Sequence, residues 1–468
     1  MKNIYYTIIC SLIISMSFTS CEDYLDGIPK GSKIPETLAD YEAFVRNEYT
    51  NHTVNVNQAL NLLNDRFLKD ATLAYDRLAN ANYFWDESAN RISLNLSDEG
   101  TYYFSYSAIS TFNLIIENVL KTSDATEDEK KELWAEAKVL RAMCYFNLVN
   151  FYAETYNVST ASEKLSVPLI TSANINAPCV QVTIQEMYDF ILKDLEEATP
   201  LLPVVSQTPL HPSLGTGYAF SARVYLQMNN FTQALIFADK ALAQKEDLYD
   251  WTAFYDLNKT IIEMPNSYVK LSSPMGYNYV ESYNFRHGAT TRFTSENDIP
   301  VYRAEEFEDG DTRFLSRWKI RTLGAETFYS SILSGNFNYG GITTVETYLI
   351  KAECLARDNK LTEAMAVLNK IRKTRIKTSI YQDLIATNKN DVIKAVLKTK
   401  KNELIQTLIP FCDARRLNSE GTYNISLSKT HNGTSYTLSS DSHLWTMPFP
   451  QGATDNPGNG TITQNVDK

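Results

Sequence analysis

Two distant stretches of the sequence align with each other without a gap, and this internal repeat limits the fold more than any other feature. They read GYAFSARVYLQMNNFTQALIFADKALAQ (217–244) and VETYLIKAECLARDNKLTEAMAVLNKIRKTR (345–375). In each, apolar residues recur at helical spacing on both sides of a short polar turn. Ala222, Tyr225, Leu226, Phe231, Ala234, Ala238 and Ala241 match Ala352, Leu355, Ala356, Leu361, Ala364, Leu368 and Ile371. This is the tetratricopeptide pattern of packed helical hairpins, here as units of an interrupted scaffold.

Other segments extend the helical scaffold. Apolar positions recur with helical spacing over 104–120 and 129–152. Thr183 and Glu186 form a capping-box pattern ahead of another helix, which Pro200 and Pro203 end. The sequence therefore predicts a mostly α fold, with the scaffold mainly in 104–244 and 345–417.

Long segments without helical period interrupt this scaffold. The interval 250–340 and the tail after 418 are rich in Tyr, Gly, Ser, Asn and Pro. Aperiodic segments of this length in folded proteins are usually functional loops. Tyrosine, of which the chain has 29, is dense in TYYFSY (101–106) and SPMGYNYVESYNF (273–285). Its flat apolar face and polar tip suit sugars, but they also suit ordinary packing at a wet surface.

The N-terminus predicts export. MKNIYYTIICSLIISMSF has one early lysine and an apolar run too short to span a membrane. Thr19 and Ser20 are small residues before Cys21, and Glu22 and Asp23 follow it. We interpret 1–20 as a signal peptide and Cys21 as an acylated N-terminus, because the arrangement resembles the lipobox of bacterial lipoproteins. The acidic pair resembles the surface-export signal of Bacteroidota lipoproteins.

Charge and motif content exclude several classes of protein. The formal net charge of -11 without basic clusters argues against nucleic-acid binding. The five histidines are scattered, and no metalloprotease, nucleophile-elbow or phosphate-loop motif occurs. The sequence predicts no catalytic residue, no cofactor and no metal site. The acidic stretch RAEEFEDGDTRF (303–314) leaves a secreted helical glycoside hydrolase as an alternative. A peptide-binding or scaffolding tetratricopeptide-like lipoprotein is the other alternative.

Several stretches along the chain share one further resemblance. In chain order they are SCEDYLDGIP, IENVL, WAEAKVLRAMCYFNLVNFYAETYN with VPLI, TIQEMYDFILKDLEEATPLLP and the two hairpin stretches. In this order they resemble the SusD/RagB family of outer-membrane nutrient-binding lipoproteins. One region departs from the family: TKKNELIQTLIPFCDARRL (399–417) has Thr407-Leu408 for a Glu-Gly and Pro410 for an arginine. The chain is identified as a divergent member.

The resemblance implies a single SusD-like domain over 21–468, with tetratricopeptide-like hairpins supporting long irregular loop insertions. It implies a lipid-anchored protein of the outer membrane, facing outward, that captures oligosaccharides or peptides. It also implies delivery to a SusC-like TonB-dependent transporter and no catalysis.

The ligand face is expected mainly in 70–100 and 250–340. Aromatic residues in these loops are the candidates for stacking on sugar rings, and Trp85 is the best of them because it follows an apparent helix end in a polar loop. The predicted ligand-binding residues are Tyr83, Trp85, Tyr277, Tyr279, Tyr283 and Trp318.

Overall fold

Helices form most of the structure, a computed structural model that describes residues 35–47, 54–95, 100–288 and 296–466. The predicted acylation site Cys21 lies outside the described residues. The helices are α1 Leu38–Val45, α2 Asn57–Leu63, α3 Asp70–Tyr75, α4 Arg77–Tyr83, α5 Arg91–Leu94, α6 Gly100–Asn118, α7 Glu127–Tyr152, α8 Ile184–Ala198, α9 Leu214–Gln227, α10 Phe231–Gln244, α11 Trp251–Ile262, α12 Val301–Ala304, α13 Thr312–Arg317, α14 Thr344–Arg357, α15 Leu361–Lys373, α16 Lys389–Glu403, α17 Ile409–Glu420 and α18 Gln451–Asp455.

The strands are short and form small separate sheets. They are β1 Leu165–Pro168, β2 Cys179–Thr183, β3 Leu271–Ser272, β4 Ser282–Asn284, β5 Ile299–Pro300, β6 Trp318–Leu323, β7 Glu326–Ser331, β8 Leu333–Ser334, β9 Ile342–Thr343, β10 Leu427–His431, β11 Thr434–Leu438 and β12 Gly460–Thr461. The sheet orders are β1-β2-β12 and β5-β7-β6, with the pairs β10-β11, β3-β8 and β4-β9. The mostly α architecture predicted from the sequence is confirmed.

The two aligned stretches are helical hairpins, as predicted. The first is α9 and α10 and the second is α14 and α15; α14 packs against both helices of the first hairpin. Each turn contains an asparagine with positive φ at the aligned position, Asn229 at 58° and Asn359 at 62°. Asparagine tolerates this left-handed conformation better than most residues, so the repeat extends to the backbone of the turn.

The core is centred on α7. Every residue from Ala135 to Tyr152 is buried, as expected of a helix surrounded by other elements on all sides. Arg141 pairs with Asp194 of α8 through two hydrogen bonds of 2.8 Å, so its buried charge is matched. The capping box predicted at Thr183 and Glu186 is present at the start of α8.

The interval 250–340 is more ordered than its sequence indicated. It begins with α11, a twelve-residue helix that the sequence analysis did not predict. Asp250 caps this helix by accepting hydrogen bonds from the backbone N–H groups of Thr252 and Ala253, both at 3.0 Å. The β5-β7-β6 sheet then follows. No helix in the described part of the chain has the length and apolar character needed to cross a membrane.

Candidate functional site

Five of the six aromatic residues predicted to bind ligand are buried in the structure. Tyr83 and Trp85 are 4% and 6% exposed. The Trp85 indole N–H donates to the Leu62 carbonyl at 2.7 Å, and its ring belongs to the main hydrophobic core. Tyr83 packs in a smaller cluster with Leu68 and Leu73. Buried tryptophan and tyrosine side chains normally satisfy their polar tips in this way.

The candidates in the long insertion are placed similarly. The Tyr283 hydroxyl donates to the Lys245 carbonyl at 2.5 Å, and the Tyr279 hydroxyl accepts from the Trp251 indole at 3.3 Å. The Trp318 indole donates to the Asn297 carbonyl at 2.8 Å. Tyr277 alone is half-buried, with its ring tilted against Phe285 at 4.6 Å between centroids. The structure thus buries five of the six candidates, and ligand contact by them stays a prediction.

A partly exposed aromatic surface lies beside the buried Tyr83 and Trp85 rings, and we call it the aromatic platform. Phe84, His431, Tyr436 and Asp70 form it through direct contacts, and we include the exposed Tyr75 because it ends α3, the helix that Asp70 begins. The half-buried Phe84 ring has its centroid 5.1 Å from that of His431 and 5.0 Å from that of Tyr436. Tyr75, at the end of α3, is 90% exposed. The platform therefore joins the predicted early loop to the β10-β11 hairpin.

Polar groups lie at the edge of these rings. His431 Nε2 is 3.1 Å from Asp70 Oδ1, and the two side chains are 31% and 53% exposed. The backbone N–H of Asp70 donates to Glu326 at the start of β7, at 2.8 Å. A carboxylate and an imidazole beside open rings supply hydrogen-bonding groups for hydroxyls next to apolar faces for C–H groups.

Local sequence sets the shape of both parts of the platform. Asp76 caps α4 by accepting from the Ala79 backbone N–H at 2.8 Å, and Asn80 donates to the Leu73 carbonyl at 3.2 Å. These bonds fix α3 against α4. The hairpin turns at Asn432 and Gly433, which both have positive φ, 47° and 79°. An Asn-Gly pair favours this tight hairpin turn.

Lys429 of β10 lies beneath the platform and connects its two parts. Its ammonium nitrogen is 3.6 Å from the Tyr83 ring centroid and 4.6 Å from that of Phe84. It donates to Asn64 Oδ1 at 2.5 Å and to the Tyr83 carbonyl. Burial lowers the pKa of Lys429 to about 6.

The sequence contained signals for the platform residues that the prediction did not use. Phe84 lies between Tyr83 and Trp85 in the sequence, so it was an equally good candidate for a ligand-binding ring. The Asn-Gly pair between two runs of alternating polarity is a hairpin signal that predicts β10 and β11. No local signal brings His431 next to Asp70, because the contact joins residues far apart in the chain.

Comparisons with known proteins agree with this fold. The SusD-like family described as starch-binding and associating with the outer membrane matches residues 23–226. A SusD-like protein of Formosa agariphila is 26% identical over 160 residues, a match that covers 31% of this chain and 30% of that protein. The matched part is thus less than a third of that relative's length.

Solved structures cover the chain almost completely. A SusD superfamily protein from Bacteroides vulgatus superposes with a TM-score of 0.69 at 16% identity, covering 92% of this chain and 99% of the other. A SusD-like carbohydrate-binding protein from the same species gives a TM-score of 0.62 at 16% identity, covering 93% and 100%. At these identities the structures establish the fold alone. The family match over residues 23–226, the curated relatives and the fold together support a SusD-like family member.

Proposed function

We propose that this protein is a surface lipoprotein that captures oligosaccharides at the aromatic platform and delivers them to a SusC-type TonB-dependent transporter without catalysis. The observation that carries the proposal is the platform itself: the half-buried Phe84 ring against His431 and Tyr436, with Asp70 paired to His431 and the exposed Tyr75 at the other end of α3. The family's description as starch-binding and associating with the outer membrane supports it. So does the carbohydrate-binding description of one structural neighbour.

The acidic stretch 303–314 gives little support to the hydrolase alternative. Asp311 accepts hydrogen bonds from Arg313 and caps α13. Glu306 pairs with Lys401 at 2.6 Å, and Glu308 accepts from Arg372. A glycosidase needs one carboxyl group free to donate a proton to the leaving oxygen. These three carboxylates are instead committed to cationic partners.

Binding calorimetry with maltohexaose, cellohexaose and xylohexaose tests the proposal. We expect at least one of them to bind, and Tyr75→Ala to weaken its binding about ten- to a hundredfold, since a stacked ring contributes on the order of 1.5–3 kcal/mol. Because Tyr75 is 90% exposed, this variant should keep the wild-type melting temperature. Phe104→Ala is the matched control, as Phe104 is a 48% exposed ring outside the platform.

Two results would contradict the proposal. The first is wild-type affinity in both Tyr75→Ala and Phe84→Ala for an oligosaccharide that binds the protein. The second is chromatographic detection of shortened sugars after incubation with purified protein, with loss of that activity in Glu306→Gln, which would favour the hydrolase.

A further inference from the structure

A second concave surface lies on the β1-β2-β12 side of the structure, and we call it the tyrosine groove. It is a cavity of about 560 Å³ between α6, the loop 172–177 and the C-terminal residues 453–462. Tyr102, Tyr103 and Tyr106 of α6 form one wall. Tyr102 and Tyr106 are one helical turn apart, with ring centroids at 4.8 Å. The groove shares no residue with the aromatic platform.

Within the part of the chain that the structure describes, the groove is lined only by uncharged residues. None of its lining residues is Asp, Glu, Lys, Arg or His, although charged residues make up 21% of the chain. Besides the tyrosines, its polar side chains are those of Ser110, Ser172, Asn174, Cys179, Asn456 and Asn459. Aromatic faces combined with amides and hydroxyls, without charge, match a neutral polyhydroxylated ligand. A charged ligand would meet no counter-charge on these walls.

Hydrogen bonds within the protein hold several walls of the groove in place, and at least one side-chain donor of the described residues has no partner there. The Tyr106 hydroxyl donates to the Pro168 carbonyl at 2.8 Å, which anchors that ring. Asn459 donates to the Asn176 carbonyl at 2.8 Å and holds the C-terminal segment against the loop. Asn174 Oδ1 accepts from the Asn176 backbone N–H at 2.9 Å. Among the residues that the structure describes, Asn174 Nδ2 has no acceptor, so it can donate to a ligand.

We propose that the tyrosine groove is a second saccharide site, which binds a neutral sugar unit through stacking on Tyr103 and a hydrogen bond from Asn174. The inference extends the proposed function but does not depend on the platform. A volume of about 560 Å³ is within the usual range of small-ligand pockets, and suits one or two sugar rings. Two separate sites on one protein would raise its retention of a long glycan through the effective concentration of the second site.

Cys179 provides a direct readout of occupancy. Its side chain is half-buried and lines the groove, whereas Cys144, Cys354 and Cys412 are buried. Burial raises the pKa of the Cys179 thiol, so alkylation is best followed in mildly alkaline buffer. The experiment measures the rate of iodoacetamide modification of Cys179 by peptide mass spectrometry, with and without maltohexaose, cellohexaose or xylohexaose.

We expect at least one of these sugars to slow modification severalfold. The protection should be lost in Tyr103→Ala, kept in Tyr103→Phe, which retains the ring, and kept in the control Phe104→Ala. Protection should also persist in Tyr75→Ala, since Tyr75 belongs to the platform.

The two proposals fail separately. Calorimetric binding that Tyr75→Ala weakens, without any protection of Cys179 by the three sugars, would overturn the groove and leave the platform standing. Protection of Cys179 that Tyr103→Ala retains would also overturn the groove as assigned. Protection of Cys179 that is lost in Tyr103→Ala, together with calorimetric affinity that is unchanged in Tyr75→Ala and Phe84→Ala, would overturn the platform alone.

Discussion

Trp85 shows how one residue can be assigned opposite roles by sequence and by structure. Its polar loop and its place after a helix predict a ligand-stacking ring. In the structure its φ is 55°, at a helix end where glycine is usual. The backbone N–H of Asp86 donates to the Ala81 carbonyl at 2.9 Å and closes the helix. A bulky residue in this left-handed conformation is held there by its surroundings, in this case core packing and the bond to Leu62.

Replacing Trp85 with Ala should therefore destabilise the protein strongly. Loss of a large buried ring typically costs about 3–5 kcal/mol of unfolding free energy. Urea denaturation measures this cost, and Tyr75→Ala on the exposed platform serves as a control with little expected change. A Trp85→Ala variant of wild-type stability with impaired sugar binding would contradict this account and support the prediction that the ring binds ligand.

The difference between Trp85 and its neighbour Phe84 could not be predicted from the sequence. Local patterns identify an aromatic loop, but burial depends on which ring meets the distant Leu62 carbonyl and which meets the β10-β11 hairpin. Both contacts are non-local. The sequence therefore could not show that Phe84 is half-buried while Trp85 is buried.

Lys429 predicts a pH dependence of stability. Its pKa is lowered from 10.5 to about 6 in the folded protein, because burial disfavours the charged amine. Between these values the unfolded chain binds a proton that the folded protein does not, so stability rises with pH. The free energy of unfolding of wild type relative to Lys429→Met should therefore increase from about pH 7 to about pH 9. Parallel pH profiles for the two proteins would show that the amine stays charged beneath the platform.

Helices were predictable at the scale of elements because their signals are local. Apolar spacing alone predicts the hairpins α9–α10 and α14–α15. Their turns also match each other, since each has an asparagine with positive φ at the aligned position. The helix α11 was missed because its neighbours in sequence are aperiodic, although the Asp250 cap marks its start. The two-residue strands β3 and β8 were beyond prediction, since Leu271 pairs with Leu333 across a long separation.

The contact between the two hairpins rests on a buried ion pair that the repeat pattern does not reveal. Arg223 of α9 donates twice to Glu346 of α14, at 2.7 Å in both bonds, and once to the Gly341 carbonyl. The two side chains are 6% and 2% exposed. Removing one partner leaves a buried charge unpaired, which is more damaging than replacing both by apolar groups.

Arg223→Met should lower the free energy of unfolding by about 3–5 kcal/mol, and adding Glu346→Leu should recover much of this loss. Urea denaturation of the single and double variants measures both effects. Lys370→Met is a matched control, because its pair with Glu246 is largely exposed, and exposed ion pairs contribute little to stability. An equally large loss in Lys370→Met, or no recovery in the double variant, would contradict this account of the hairpin contact.

At the scale of the whole molecule, family and architecture are easier to predict from sequence than a ligand site. The family resemblance is spread along the chain, so errors in one segment do not change it. Even the divergent stretch is ordered: it contains the end of α16, a turn and most of α17, with Pro410 in the first turn of α17, where a missing N–H is tolerated. A binding surface depends instead on a few exposed side chains, and one misplaced ring changes its assignment.

The proposed anchor predicts where the protein is found in the cell. If Cys21 carries acyl chains, Cys21→Ala should move the protein from the membrane fraction to the periplasm or the medium, because several buried acyl chains are needed for stable anchoring. Cell fractionation with immunodetection measures this change. Cys179→Ala is the control and should stay in the membrane fraction. Membrane attachment of Cys21→Ala equal to that of wild type would contradict the anchor.

The proposed delivery to a transporter predicts a physical partner for this protein. A tethered binding protein raises the local concentration of glycan, and this is useful for uptake only if a transporter lies within reach of the tether. We therefore expect a TonB-dependent barrel of larger mass to co-purify with the protein in mild detergent. The complex should survive Tyr75→Ala, since that change removes a ligand contact and leaves the fold intact. Recovery of the lipoprotein alone, from membranes in which the barrel is solubilised and folded, would contradict the partnership.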